Sequence, residues 1–184
     1  MKYFLTLILF ISFTTINAQS NNTKEVKEAL DWMQGKIGGI KTSNYFDMGA
    51  MSKNYWKKYN YKIEYKASDC SLKIIETESY VEDRNSSRND RETVNTYEFN
   101  LSDISSIISE DSSLHGQKQF KIKTFNTKKT IHKTSKGVYN QDTQVDELLI
   151  YYTELGDLKD QPERFIKAFT DAVKFCGGGK TEKY

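Results

Sequence analysis

Residues 59–66, Tyr59-Asn60-Tyr61-Lys62-Ile63-Glu64-Tyr65-Lys66, set an aromatic or aliphatic side chain at every second position and a polar one between. Successive side chains of an extended chain point to opposite faces. This period of two therefore predicts a strand with Tyr59, Tyr61, Ile63 and Tyr65 on one buried face. The same reading continues downstream. Ala67-Ser68-Asp69 predicts a tight turn, and a second strand runs from Cys70 or Ser71 to about Tyr80. Glu82 to Arg91 is polar and charged throughout, the composition of an exposed hairpin loop. Tyr97, Phe99 and Leu101 mark a third strand, and Ile104, Ile107 and Ile108 a short fourth element. After a polar turn from Glu110 to Gly116, Phe120 and Ile122 alternate with Lys121 and Lys123. A hairpin near Asn126 to Lys129 leads to a short strand around Ile131. The last strand spans Val145 to Thr153, and its unbroken run Leu148-Leu149-Ile150-Tyr151-Tyr152 predicts burial on both faces.

The ends of the chain carry a different period. Val26, Leu30, Met33 and Ile37 recur at helical spacing, with Thr23 as N-cap and Gly38-Gly39 as terminator. From Ile40 to Lys58 no pattern holds, yet the aromatic content predicts packing on the domain. At the other end Phe165, Phe169, Ala172 and Cys176 form one stripe, widened by Ile166 and Val173. Asp160 and Glu163 have capping-box spacing, Pro162 falls in the tolerated first turn, and Gly177 supplies the stop. The fold class is α+β: about seven antiparallel strands in a small barrel or bent sheet, capped by a C-terminal helix, with an additional N-terminal helix. The organisation reads as residues 19–58, helix and packed irregular segment; 59–178, the sheet with its helix; and 179–184, a frayed tail.

That order of elements resembles the pleckstrin-homology-like superfold. The stretch Tyr97-Glu98-Phe99-Asn100-Leu101-Ser102-Asp103-Ile104 is similar to the strand-then-turn step of such domains. The close, from Glu163-Arg164-Phe165-Ile166-Lys167-Ala168-Phe169 to Lys174-Phe175-Cys176-Gly177-Gly178, is similar to that of small exported bacterial proteins of unknown role. The resemblance implies a platform with an exposed sheet surface for partners. It implies no phosphoinositide site, because the loop that would carry the cationic cradle is here Ala67-Ser68-Asp69, short and slightly acidic.

Residues 1–18 have the layout of a secretory signal peptide. Lys2 precedes an apolar run from Phe4 to Phe13, and Ile16-Asn17-Ala18 leads to Gln19, which places cleavage after Ala18. The run falls short of the roughly 20 apolar residues of a membrane span. The mature chain is expected without a transmembrane segment, in the periplasm or outside the cell. With 27 basic and 25 acidic residues, mixed along the chain, the charge gives no support for nucleic-acid binding.

Cys70 and Cys176 are the two cysteines, and in an exported chain they invite one disulfide. Such a bridge would close a loop of about a hundred residues, stabilising by roughly 4–5 kcal/mol in the chain-entropy model; two buried thiols are the alternative. Gly177-Gly178-Gly179-Lys180-Thr181 ends like a phosphate-binding loop, but the required first glycine is Lys174 and a helix precedes it. Helix cap and tail is the preferred reading. His115 and His132 read as surface residues; no HExxH or CxxC spacing marks a metal site, and no cofactor is expected.

Glu76 and Glu78, or Asp146 and Glu147, have the makings of a glycosidase carboxylate pair, although charged outer strand faces look the same. Lys118, Lys121, Lys123, Lys128, Lys129 and Lys133 are the most concentrated feature of one sign. If their two strands pair, these lysines would form a patch for an anionic glycan, polymer or partner protein; edge protection is the plainer account. The function expected from all this is a non-catalytic binding or interaction module of the cell envelope or exterior, its partner an envelope protein or glycan. Two rivals stand beside it: a small hydrolase assembled from scattered Asp, Glu and His, and a carrier of small apolar ligands.

Overall fold

The computed structural model describes residues 24, 26–37, 41–46, 55–66, 68–81, 91–112, 117–137, 140–152 and 162–179. The leader expected over 1–18, Thr23, the loop 82–90, His115, Asp160 and the tail from Lys180 lie outside the described residues. Within them the chain forms helix α1 over 26–37, then β1 Lys41–Phe46, β2 Tyr55–Lys66, β3 Ser71–Val81, β4 Arg91–Asn100 and β5 Ile104–Asp111. There follow β6 Lys118–Thr124, β7 Ile131–Lys136, β8 Gln141–Val145, β9 Glu147–Tyr152 and helix α2 Pro162–Phe175.

All ladders are antiparallel. One sheet has the order β1-β2-β3-β4-β7-β8, and a second has the order β5-β6-β9. Among the described residues the strands form two sheets and do not close into a barrel. Among the described residues the chain passes between the sheets three times: through the 3-10 turn Leu101–Asp103, through the connection between β6 and β7 that holds the turn Phe125–Thr127, and at Asp146. At Asp146 Thr124 secures the bend: its backbone N–H and its Oγ1 both donate to the Asp146 carbonyl, at 3.0 and 3.1 Å.

Among the described residues there are nine strands where about seven were expected, and the two additions share a cause. β1 and β8 lie at the edges of the larger sheet, where backbone pairing to a single neighbour holds a strand without an apolar alternation. β8 reads Gln141-Asp142-Thr143-Gln144-Val145, polar until its last residue, and its side chains are mostly exposed. The single strand expected over Val145 to Thr153 is broken at Asp146. In β9, Leu148, Ile150 and Tyr152 are buried while Leu149 and Tyr151 are half-buried, so one face dominates.

The β5–β6 ladder shifts register between Ile104 and Ser106. Three residues of regular strand would send Ile104 and Ile107 to opposite faces; the extra residue at this bulge turns both inward, where both are buried. Ser105 Oγ donates to the carbonyls of Lys123 and Thr124 at 3.0 Å each. Ile108 is left exposed by the same change of phase.

One apolar core unites the sheets and both helices. Tyr61, Ile63, Ile74 and Phe99 come from the larger sheet, Phe120, Ile122 and Ile150 from the smaller, and Phe165, Phe169 and Ala172 from α2. Phe120 stacks on Phe165 and Tyr152, with ring centroids 4.7 and 4.4 Å apart. Val26, Leu30, Met33 and Ile37 belong to this core, so α1 is a component of the fold. Arg164 of α2 lies over the Trp32 ring of α1 at 4.7 Å.

Helix α2 ends as its sequence predicts. Gly177 has φ +85°, its N–H donates to the Lys174 carbonyl, and the Gly178 N–H donates to Val173. This is the Schellman arrangement, and it gives the glycine run a structural task. Cys176 at the helix end is joined to Cys70 by a disulfide, Cα atoms 5.9 Å apart. Among the described residues no helix is long and apolar enough to cross a membrane.

Candidate functional site

β3 begins with Leu72 and Ile74 in the apolar phase that faces the core. The next residues in that phase are Glu76 and Glu78, so the strand pattern carries two carboxyls inward. Glu76 is only 4% exposed. Its ladder partners are Tyr61 on β2 and Asn95 on β4, and Asn95 in turn faces Ser135 on β7. One buried polar row thus crosses four strands.

Every bond in this row points towards Glu76. Ser135 Oγ donates to Asn95 Oδ1 at 2.6 Å, and Asn95 Nδ2 donates to Glu76 Oε1 at 2.7 Å. From the other side the Tyr151 backbone N–H donates to the Tyr61 hydroxyl at 3.0 Å, and that hydroxyl donates to Glu76. The last link ties β9 of the smaller sheet to β2 of the larger. Burial pushes the Glu76 carboxyl above its ordinary range, against the pull of its two donors; nearby Glu78 adds to the rise, and Lys133 opposes it.

Above this row the two sheets part around a cleft of about 290 Å³. Its walls bring Tyr59, Tyr97 and Tyr151 together with Lys57, Glu78, Lys133 and Glu147. Lys57 Nζ meets Glu78 at 2.8 Å and lies 5.1 Å from the centre of the Tyr59 ring. Tyr80 donates its hydroxyl to Glu78 as well. Lys133 Nζ lies 5.5 Å from the Tyr97 ring centre, and the Tyr59 and Tyr151 rings are 5.0 Å apart. Burial, aided by Glu76 and Glu78, raises the hydroxyls of Tyr59, Tyr97 and Tyr151 above their ordinary range and keeps them neutral.

A larger recess of about 550 Å³ lies beside Tyr65, Leu72 and Phe99. Its charged groups are taken up in pairs at the surface, Lys73 with Glu98 and Lys66 with Asp69, both at 2.6 Å. The smaller cleft has buried polar groups aimed into it and is the better candidate.

Of the lysines singled out in the sequence, only Lys133 reaches this cleft. β6 and β7 do not pair, so the shared face on which the patch depended does not form. Lys118, Lys121 and Lys123 lie on β6 of the smaller sheet and Lys133 on β7 of the larger. Lys121 is bonded to Glu110, whose carboxyl it holds below the usual range; Lys118 faces Asp111, and Lys123 faces Glu147. Lys128 and Lys129 are exposed in the connection between β6 and β7.

Glu76 and Glu78 do share one strand face, and Glu147 joins them across the cleft. Asp146 instead serves the bend through its carbonyl. His132 is half-buried beside Asp142, Nε2 to Oδ1 2.7 Å, away from the cleft lining. No group of three or more His, Cys, Asp or Glu that could hold a metal ion is found among the described residues.

Lys57, Asn95 and Ser135 went unnoticed in the sequence, and Tyr61 was read there only as a residue of the buried strand face. The signal that finds two of them is a polar residue in an apolar phase: Asn95 before Tyr97 and Phe99, and Ser135 after Ile131, just as Glu76 follows Leu72 and Ile74. No family model matches this chain, and no curated protein or solved structure matches it either.

Proposed function

We propose that this chain is an exported, non-catalytic binding module of the cell envelope or exterior, and that its ligand enters the cleft between the two sheets. The observation that carries the reading is Glu76: a buried carboxyl at the floor of an open cleft, fixed on its protein side by neutral donors. Such a group is costly to hold without a further partner. Export is supported by the leader-like residues 1–18 and by the Cys70–Cys176 bridge. Kinship with the pleckstrin-homology-like superfold is part of the proposal, supported by antiparallel sheets closed by a C-terminal helix. A carboxyl floor suits an apolar carrier poorly.

The test is an amide-resolved NMR screen of the purified chain against saccharides, amines, nucleotides and fatty acids. Ligands of the cleft shift the amides of Asn95, Tyr97 and Tyr151 together. Hits that scatter over the surface, or no hits, would sink the reading.

One observation favours the hydrolase rival. Glu76 and Glu78 are separated by two strand residues, about 7 Å, within the range of inverting glycosidases, and burial raises the first of them. Against it, Glu78 is already engaged by Lys57 and Tyr80. Turnover of nitrophenyl glycosides that disappears in Glu76→Gln would establish the rival.

A further inference from the structure

We infer that the ligand of the cleft is a single neutral sugar residue, an inference that rests on the cleft being a binding site. Charge narrows the choice first. Glu76, Glu78 and Glu147 stand with Lys57 and Lys133 around about 290 Å³. Lys57 and Glu78 are already paired with each other, and Lys133 stands opposite Glu76 and Glu147, so the lining carries no large excess of either sign and selects for no strongly charged ligand. A neutral ligand rich in hydroxyls finds acceptors and donors side by side.

The lone pairs on Glu76 point the same way. An ionised carboxylate offers about four acceptor sites. Asn95 and Tyr61 use two of them, which leaves room for hydroxyl donors from the cleft side. Hydroxyls arriving there add to a buried carboxyl whose hydrogen-bond donors are otherwise neutral, and the bonds formed with its ionised form are charge-assisted. Lys133 faces the same space as a donor to ligand oxygens.

Shape supplies the third constraint. Tyr59 and Tyr97 are buried in the wall beneath Lys57 and Lys133, while the half-buried Tyr151 ring lines the cleft, and an aromatic face, negative at its centre, packs well against the polarised C–H face of a pyranose. The volume, about 290 Å³, falls just below the ~300–1,000 Å³ usual for ligand sites, which suits one ring and not a chain. A terminal sugar of a glycan fits that description.

The experiment titrates the purified chain with the methyl glycosides of glucose, galactose, mannose and N-acetylglucosamine, followed by amide NMR. Sulfate, tetramethylammonium and decanoate serve as the anionic, cationic and apolar probes. At least one glycoside should shift the amides of Tyr97, Leu149 and Tyr151, and Glu76→Gln should weaken it about ten- to hundredfold, the worth of one charge-assisted hydrogen bond. Lys133→Met and Glu147→Gln, at the rim, should weaken the same glycoside and guard against misfolding of the buried variant. Shifts from sulfate, tetramethylammonium or decanoate without the glycosides would overturn the sugar inference and leave the binding reading standing. Silence from every probe would overturn both. Unchanged glycoside affinity in a folded Glu76→Gln would also overturn it.

Discussion

Asn95 Nδ2 donates to Glu76 Oε1 across 2.7 Å, and the two residues are also direct Cα partners in the β3–β4 ladder. Register and side-chain chemistry therefore coincide at the floor of the cleft. A slip of β4 by one residue would carry Asn95 to the opposite face and away from Glu76. The bond thus marks the register that assembles the cleft.

Asn95→Leu removes that donor and leaves Ser135 without its acceptor. The variant should lose about 1–3 kcal/mol of stability near neutral pH. The Glu76 pKa is already raised by burial, and losing a donor raises it further. A raised carboxyl binds its proton more tightly in the folded state, so its stability penalty is absent below the ordinary value of 4.5 and grows as pH rises through the folded-state value. The deficit of the variant should therefore shrink in acid. Urea unfolding across a pH series checks this; a deficit that is the same at every pH would mean that Asn95 does not serve the ionised form of Glu76.

Asp69 shows the opposite sign. Lys66 donates to its carboxylate at 2.6 Å, and the Ser71 hydroxyl and N–H add bonds at 2.7 and 3.2 Å, which lowers its pKa from 3.8 to about 2. A depressed carboxyl stabilises the fold above its ordinary value and loses that contribution as pH falls through the folded-state value. The difference in unfolding midpoint between the wild type and Asp69→Asn should hold steady above 3.8 and narrow as pH approaches about 2. A difference that widens in that window would refute the assignment.

The Cys70–Cys176 bridge spans a sequence separation of 106 residues. By the chain-entropy model its loss costs about 4–5 kcal/mol. The double substitution of both cysteines by serine should lower the unfolding free energy by that much, with a lower urea midpoint and a steeper slope from the more open unfolded chain. A change under about 1 kcal/mol would show that the α2 terminus is held by its backbone bonds alone, those of Gly178 to Val173 and Gly179 to Ile104.

Two glycines should respond in opposite directions to alanine. A Cβ on Gly178 would lie 2.5 Å from the Leu101 carbonyl oxygen and 2.9 Å from that of Ile104. Gly178→Ala should therefore cost about 1–3 kcal/mol, as overpacking does. A Cβ on Gly35, exposed on α1, meets nothing within 4 Å. Gly35→Ala should gain about 0.5–1 kcal/mol from helix propensity. Thermal melts of the pair check both signs.

Much of the fold was legible because its signals are local. The alternation at Tyr59, Tyr61 and Ile63, the α1 stripe from Val26 to Ile37 and the α2 stripe ending at Gly177 each report a periodic face that any core must bury. Those faces are buried as read. β1 and β8 were not legible, because an edge strand is held by backbone bonds to its neighbour. The break at Asp146 and the bulge beside Ser105 escaped for a related reason: each is secured by a residue far away in sequence, Thr124 in one case and the carbonyls of Lys123 and Thr124 in the other.

The candidate site divides in the same way. Glu76 and Glu78 stood out as carboxyls on one strand face, and their inward phase was written in Leu72 and Ile74. The lysine cluster drew notice through proximity in sequence, yet sheet order sends β6 and β7 to different sheets and leaves only Lys133 at the cleft. By itself the sequence determined which faces are apolar, where the helices stop and which residue types are available for chemistry, because those depend on neighbours within a turn or two. Only the tertiary structure decided that Lys57, Glu76, Asn95, Lys133 and Glu147 line one space. They come from five strands, and ladder register between strands distant in sequence is set by packing of the whole core.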